Sequence, residues 1–458
     1  MMRNGEVSWW WRQVGGAPGA RRRRPALAGE IQVDVCIIGA GYTGLWTAYY
    51  LAKHDPSLRI AVVEQHFAGF GASGRNGGWL TAALPGSRAV LNQVRGIDGT
   101  KALEQHLRDQ VDEVIRVAAA EKIDADIVKG GELRVATSAP QLGRLERSFA
   151  SEQAWGTPGE KWLEESELDA RLRLDGSLAA IWTPHCARIH PVKLVSGLAE
   201  TVERLGVTIY EDSPVESVED GFARTADGTV RASSVLRCTE GFTADFPGER
   251  RTWLPMNSSM VVTSPLTAEQ WEHIGWDGYE VLGDEAHAYI YAQRTADGRI
   301  AIGGRGVPYK FGSKLDDFGD TPSVTVEQLR ASLESLFPEL RGICLDHAWS
   351  GVLGVPRDWT ATVTYQDGFG YAGGYVGHGV TSSALAGRTL ADLVLDRDTE
   401  RTSLPWVQRR VRKWEPEPFR FAGVMGLYAA YRQADKRESL TGRKSGIAGL
   451  ADKISRKP

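Results

Sequence analysis

The chain has 458 residues, too many for one ordinary hydrophobic core, so its length predicts two domains. Hydrophobic residues make up 42% of it and charged residues 24%, as in a soluble globular protein, and the net charge of −4 excludes a strong field for nucleic acid or anionic lipid. No apolar run approaches the roughly 20 residues that a membrane-spanning helix needs, and no secretory signal is recognisable. The four cysteines are widely spaced, which disfavours a disulfide framework or a metal site and favours a reducing cytoplasm.

The first elements in chain order form a βαβ unit. Residues 33–38 predict a strand buried on both faces, the glycine-rich turn 39–44 follows, and residues 45–53 carry an apolar helical stripe. Residues 59–64 predict a second strand. Trp9 to Trp11 are expected to be structural, at a domain interface, and Arg21 to Arg24 to form a solvated basic stretch.

Later segments alternate between two kinds of pattern. Residues 188–241 are again typical of α/β structure, whereas residues 285–304 predict an antiparallel hairpin around the turn Thr295–Gly298. We therefore expect one α/β unit in three pieces, 30–95, 186–250 and 345–400, interleaved with an antiparallel α+β unit of residues 96–185 and 251–344. Residues 401–458 are expected to be a C-terminal helical extension, fraying beyond Ser439 and mobile at its end.

The turn Gly39-Ala40-Gly41-Tyr42-Thr43-Gly44 carries the pattern G-x-G-x-x-G between a strand and a helix. Gly39 allows the tight turn, Gly41 lets a pyrophosphate approach the backbone, and Gly44 lets the helix pack on the strand. Glu64 ends the next strand, where its carboxylate can accept hydrogen bonds from a ribose. This motif predicts a dinucleotide and does not separate NAD from FAD.

A second glycine-rich stretch, from Gly69 to Trp79, leaves the backbone amides open to a flat ring and its phosphates. Ser73 and Arg75 can bond phosphate oxygens; the alternative is a flexible linker. A third stretch, from Gly373 to Val380, precedes a helix whose N-terminus would stabilise negative charge on a reduced flavin. His378 either touches the flavin edge or is a solvated or backbone-ordering histidine.

Together the three stretches resemble the D-amino-acid-oxidase (DAO) superfamily, and within it the gamma-glutamylputrescine oxidoreductase-like flavoenzymes, over roughly residues 8–432. The resemblance implies a glutathione-reductase-type, Rossmann-like FAD domain under an antiparallel substrate domain. It also implies non-covalent FAD, because the segment His347 to Gly351 lacks the cysteine that binds FAD covalently in some relatives. The expected FAD-contacting residues are Gly39, Gly41, Tyr42, Thr43, Gly44, Glu64, Gly71, Ala72, Ser73, Arg75, Asn76, Gly77, Gly78, Val215, Gly374, Tyr375, Gly377, His378, Gly379 and Val380.

The resemblance further implies oxidation of a C–N bond in a small-molecule amine or amino acid. A hydride would pass to flavin N5, water would hydrolyse the imine, and dioxygen would reoxidise the flavin to give H2O2. The expected catalytic or pocket-lining residues are His287, Tyr289, Tyr291, Arg305 and His378, with weaker expectations for Asn257 and Ser258. Ordinary strand packing is the alternative for the hairpin side chains, and a surface salt bridge is the alternative for Arg305.

Three other functions stay open at this point. They are a dehydrogenase that passes electrons to a carrier, an NAD-dependent alcohol oxidoreductase, and a catalytically silent flavin-binding protein. We expect no metal, nucleic-acid or membrane partner.

Overall fold

The computed structural model describes residues 2–15, 24–219, 221–304, 306–315, 318–446 and 449. Among these the strands are β1 (Arg3–Asn4), β2 (Gly29–Ile38), β3 (Ile60–Val63), β4 (Trp79–Thr81), β5 (Glu132–Ala136), β6 (Lys161–Glu164), β7 (Ala179–Thr183), β8 (Cys186–Arg188), β9 (Thr208–Tyr210), β10 (Ser217–Glu219), β11 (Phe222–Arg224), β12 (Gly228–Arg237), β13 (Leu254–Thr263), β14 (Val281–Asp284), β15 (Tyr291–Arg294), β16 (Ile300–Gly304), β17 (Leu345–Val355), β18 (Thr362–Gln366) and β19 (Phe369–Gly373). The α-helices are α1 (Trp9–Gln13), α2 (Tyr42–His54), α3 (Arg88–Ala120), α4 (Ala139–Trp155), α5 (Glu165–Asp169), α6 (Pro191–Arg204), α7 (Ala268–Ile274), α8 (Ser323–Leu336), α9 (Gly379–Val394) and α10 (Phe419–Thr441).

The first sheet has a parallel centre in the order β9-β3-β2-β12-β19, with β18 antiparallel beside β19 and the short β10 and β11 beside β12. Cys36 pairs with Val235 across β2 and β12, and Ile38 pairs with Val63 across β2 and β3. Side chains of α2, α3, α6 and α9 join those of β2 and β3 in one large core. The α/β prediction for the glycine-turn domain is confirmed.

The second sheet has the order β1-β17-β13-β16-β15-β14-β5-β7-β6 and is mainly antiparallel. Parallel pairs join β1 to β17 and β14 to β5. The predicted hairpin is present as β15 and β16, with Tyr291 opposite Gly303. Its first strand begins at Tyr291 and not at Glu285, because residues 287–288 form a turn.

Strand β17 lies in the second sheet, although residues 345–400 were expected to belong to the first unit. It pairs with β13 from Leu254↔Val355 to Thr263↔Leu345, and this long ladder fixes its place. A strand signal in the sequence does not say which sheet the strand joins. The domain limits as a whole stay a prediction.

The N-terminal helix α1 lies between the two sheets. Its Trp9, Trp10 and Trp11 are buried in a cluster that contains Phe67 and Phe70 on one side and Met260, Val262 and Trp349 on the other. The three tryptophans therefore pack where the two layers meet, as an interface position requires.

The chain ends differ from the expectation in two details. Helix α10 continues to Thr441, and Glu438 Oε1 accepts a hydrogen bond from the Ser445 N–H at 2.9 Å, so ordered contacts extend past Ser439. Arg24 is not solvated, because it pairs with Glu203 and Glu211 at 2.8 and 2.9 Å. Residues 21–23, 447, 448 and 450–458 lie outside the described residues.

Candidate active site

A cavity of about 580 Å³ lies between the carboxyl ends of the parallel strands and the second sheet. Ile38, Val63 and Cys238, at or just after the ends of β2, β3 and β12, line its floor. Ligands of open α/β sheets bind at this edge. The predicted residues that line the cavity are Gly39, Gly41, Tyr42, Thr43, Glu64, Gly71, Ala72, Ser73, Arg75, Asn76, Gly77, Val215, Ser258, Tyr289, Tyr291, Tyr375, Gly377, His378, Gly379 and Val380.

One end of the cavity is the turn before α2. Gly41 is the residue before the helix and has no side chain to cap it, and the Tyr42 N–H is bonded to Ser73 Oγ, so the N–H groups after Tyr42 and the helix dipole are what this end offers to a ligand. Gly39 has a φ of 102°, and a Cβ there would lie 2.7 Å from the Cys238 carbonyl oxygen. A Cβ on Gly44 would lie 2.0 Å from the Gly39 carbonyl oxygen. Gly44 therefore permits close helix–strand contact and does not line the cavity itself.

Glu64 lies beside this turn with its carboxylate buried. Its oxygens accept hydrogen bonds from the backbone N–H groups of Ala40 at 2.8 Å and His66 at 3.0 Å. Burial raises the pKa of the Glu64 carboxyl to about 7, and the nearby Glu211 acts on that pKa in the same direction. Hydroxyl donors of a ribose would favour the ionised form, so the position suits the ADP half of FAD.

The second glycine-rich stretch approaches the same turn. Ser73 Oγ accepts a hydrogen bond from the Tyr42 N–H at 2.8 Å, and a Cβ on Gly41 would lie 3.0 Å from that oxygen. Arg75 is buried, with Nε donating to the Phe70 carbonyl at 2.8 Å and its guanidinium 4.4 Å from the Phe70 ring centre. Both side chains line the cavity, and both have protein partners in addition to any phosphate.

Four side chains hold the back of this stretch by donating to its carbonyl groups. The donors are Ser8 Oγ to Gly74 (2.7 Å), Trp10 Nε1 to Asn76 (2.9 Å), Trp11 Nε1 to Gly69 (3.4 Å) and Trp349 Nε1 to Arg75 (2.9 Å). These bonds satisfy buried carbonyls that would otherwise be costly. We name Ser8, Trp10, Trp11 and Trp349 the carbonyl clamp.

Glu240 supports the third glycine-rich stretch. Its Oε1 accepts from the N–H groups of Gly374 and Tyr375, both at 3.1 Å, and its Oε2 accepts from the Gly354 N–H at 2.8 Å. Burial raises the pKa of the Glu240 carboxyl to about 7. This side chain, which lines the cavity, thus ties β17 to the loop before α9.

The loop itself directs α9 at the cavity. Tyr375 is buried, and its hydroxyl lies 3.0 Å from Thr43 Oγ1 at the start of α2. His378 is the residue before α9, and Gly379 and Val380 form its first turn. The positive end of the helix dipole is therefore available to an anionic part of a ligand.

The far end of the cavity is aromatic. Tyr291 Oη lies 2.8 Å from Ser258 Oγ, and its ring meets the Trp79 ring edge-on with centres 6.3 Å apart. Tyr289 lines the same end. Asn257 is buried and lies outside the lining. This end offers flat apolar walls with hydroxyl groups.

Several predicted residues lie elsewhere. His287 does not line the cavity, because the backbone turns there and the side chain contacts Arg144 and Glu438. Gly78 and Gly374 pack closely against Gln293 and Pro356, respectively, and also lie outside the lining. Arg305 is outside the described residues.

Sequence reasoning missed Glu240 and the β17 residues Gly351–Leu353, which line the cavity. Trp79, although noted as the end of the second stretch, was not assigned to the pocket. The only sequence signal for Glu240 was its position beside Gly241, shortly after the strand that ends at Arg237. Nothing local marks Gly351–Leu353, since their position follows from the pairing of β17 with β13.

The comparisons with known proteins identify the family. The family model of DAO, described as FAD dependent oxidoreductase, matches residues 34–393. The chain belongs to this family. The DAO-family chain is 30% identical to the gamma-glutamylputrescine oxidoreductase of Escherichia coli (strain K12) over 384 residues, which cover 81% of the chain and 85% of that relative.

Solved structures share the fold of this DAO-family enzyme. Glycine oxidase from Geobacillus kaustophilus superposes with a TM-score of 0.66 at 22% identity, covering 83% of this chain and 99% of that one. Iminodiacetate oxidase from Chelativorans sp. BNC1 gives a TM-score of 0.64 at 18% identity, covering 80% and 96%. The match to the family of FAD-dependent oxidoreductases makes FAD the cofactor and confirms the predicted FAD-dependent oxidoreductase. No helix within the described ranges is both long and apolar enough to cross a membrane.

Proposed function

We propose that this DAO-family enzyme oxidises a C–N bond of a small amine, with gamma-glutamylputrescine-like compounds as the first candidates. One observation carries the proposal: a single cavity joins the dinucleotide turn at Gly41 to the aromatic end at Tyr291. The 30% identity to a gamma-glutamylputrescine oxidoreductase supports this substrate class. The names of the glycine and iminodiacetate oxidases agree with C–N chemistry.

FAD, when bound, supplies the acceptor for the hydride that leaves the carbon next to the amine nitrogen. The residues of the chain then have to orient that carbon and exclude water. Tyr289, Tyr291 and Trp79 provide flat walls for an alkyl chain, and the paired hydroxyls of Tyr291 and Ser258 offer a polar contact. The amine must lose its ammonium proton before the hydride leaves. Water then hydrolyses the imine that forms and gives a carbonyl compound and ammonia or a second amine.

We also propose that FAD is held without a covalent bond. Among the cavity-lining residues of the described chain, Cys238 is the one cysteine, and its burial raises the pKa of the thiol to about 12. The thiolate is the nucleophilic form of cysteine, so this side chain is unreactive at neutral pH. Cys344 is exposed and does not line the cavity.

An anaerobic amine panel tests the proposal. Gamma-glutamyl amines, free polyamines and D-amino acids are mixed separately with the oxidised FAD-loaded protein, and bleaching of the flavin band is recorded. We expect bleaching by at least one amine, and a flavin left oxidised by every compound would contradict the proposal and favour a silent flavin-binding protein. Peroxide measured with and without an artificial electron acceptor then separates an oxidase using dioxygen from a dehydrogenase. Use of dioxygen and a cytoplasmic location stay predictions.

A further inference from the structure

Helix α10 lies outside the family-matched residues 34–393 and packs against the segment that leads into β15. This segment, residues 285–290, connects β14 to β15 and is not itself a strand. Its Tyr289 lines the cavity, and Tyr291 follows it on β15. The position of Tyr289 at the aromatic end therefore depends on the contacts that hold residues 285–290.

Asp435 of α10 holds the backbone of this segment at two adjacent points. Its Oδ1 accepts from the His287 N–H and its Oδ2 from the Ala288 N–H, both at 2.9 Å. Hydrogen bonds to an ionised carboxylate are stronger than those between neutral groups. Both carboxylate oxygens are thus used on the two residues immediately before Tyr289.

A second set of contacts fixes the same segment from its other side. Arg144 Nε donates to the Glu285 carbonyl at 2.7 Å, and Arg144 Nη1 pairs with Glu438 of α10 at 2.8 Å. His287 Nε2 lies 3.3 Å from Glu438 Oε1, and its ring stacks on Tyr431 with centres 5.9 Å apart. The segment is therefore held between α4 and α10.

One potential ligand atom from each of His287, Asp435 and Glu438 lies within 4.8 Å of the other two, as in a metal site. Two features of the contacts indicate instead that this cluster holds residues 285–290 in place. The Arg144 guanidinium already bonds Glu438 and lies 3.1 Å from His287 Nε2, so a positive charge occupies the cluster. Asp435 uses both oxygens on backbone N–H groups.

We propose that Asp435 is a positioning residue that fixes Tyr289 in the cavity and so determines which amines the enzyme accepts. The inference rests on the proposed function. It assigns a role in substrate selection to a helix beyond the matched family region. Releasing the two N–H groups would let residues 287–289 move, and the shape of the aromatic end would change while the FAD-binding turn stayed intact.

The test compares Asp435→Asn with Gln433→Lys in the FAD-loaded protein. Each substitution makes the net charge of α10 more positive by one unit, and Gln433 is an exposed residue of the same helix, so the control reproduces the charge change without touching residues 287 and 288. Asp435→Asn should raise KM for the preferred amine by about tenfold, with kcat within about twofold, because the bonds lost act on binding geometry. It should also alter the ratio of kcat/KM between a gamma-glutamyl amine and a free polyamine. FAD content should stay unchanged, amide hydrogen exchange at residues 287 and 288 should accelerate, and Gln433→Lys should change none of these.

Faster exchange at residues 287 and 288 with unchanged KM and substrate ratio would overturn the inference. If Asp435→Asn does not fold, Tyr289→Leu replaces it, and an unchanged substrate ratio in that variant overturns the inference equally. If no amine bleaches the wild-type flavin, the proposed function fails by itself. The positioning role of Asp435 is then tested with the visible absorption spectrum of the bound flavin. Asp435→Asn should alter this spectrum in the same direction as Tyr289→Leu, and an unaltered spectrum overturns the inference.

Discussion

Replacing Trp10 by phenylalanine tests whether the carbonyl clamp contributes to FAD binding. The substitution keeps an aromatic ring but removes the Nε1–H that donates to the Asn76 carbonyl at 2.9 Å. Trp10 is only 1% exposed, so water cannot easily replace the donor. An unsatisfied buried acceptor costs about 1–3 kcal/mol. If that cost falls on the FAD-bound form, the Kd for FAD rises roughly 5- to 150-fold.

Trp9→Phe is the matched control, because it removes the same atoms from the neighbouring residue of α1. Trp9 is also buried, and its indole N–H donates a hydrogen bond to none of the residues that the structure describes. Titration of each apoprotein with FAD, followed by flavin fluorescence, gives the two Kd values. Equal Kd values for the two variants would refute the reasoning, since the loss of ring volume alone would then explain any change.

Four further outcomes are expected. Gly41→Val should abolish FAD binding, measured by flavin retention on gel filtration, because the added side chain fills the space at the helix N-terminus. The pKa of Glu240, raised to about 7, means that the folded apoprotein keeps a proton that the unfolded chain loses near pH 4.5, so this group's stabilisation is lost as pH rises from about 4.5 to 7. Glu240→Gln should remove that part of the pH dependence, up to about 3 kcal/mol in denaturant unfolding. Tyr291→Phe, which loses the contact with Ser258, should raise KM several-fold more than kcat falls in steady-state assays. Acid precipitation should release all FAD into the supernatant, and flavin left in the pellet would contradict non-covalent binding.

The ADP-binding end of the site was largely predictable from the sequence. A pyrophosphate is held by consecutive backbone groups at a strand–helix junction, so Gly39, Gly41 and Glu64 lie close together in the chain as well as in space. The parallel order of the first sheet follows from the same βαβ unit. These features depend on residues that are close together in the sequence, so a local sequence pattern is enough to predict them.

The opposite end was less predictable because side chains far away in the sequence shape it. Residues 285–290 alternate as a strand would, yet Asp284 and Asp435 take the N–H groups of Ile290, His287 and Ala288. Those bonds replace a strand ladder, and His287 consequently faces α10 and not the cavity. The sequence pattern of residues 285–290 could not predict this, because the carboxylate that accepts these hydrogen bonds belongs to the distant Asp435.

The residues that line the cavity are spread widely along the chain, and this affects when FAD can bind during protein synthesis. Its first lining residue is Ile38 and its last is Ser383, so the ribosome must deliver nearly the whole family region before the cavity can close. At about 5–20 residues per second, that interval takes roughly 20–70 s. During it the nascent chain presents the Gly39 turn without the α9 end of the site. The complete cofactor site therefore forms only after Ser383 has been made, and a greater cellular supply of FAD should raise the yield of folded enzyme by mass action.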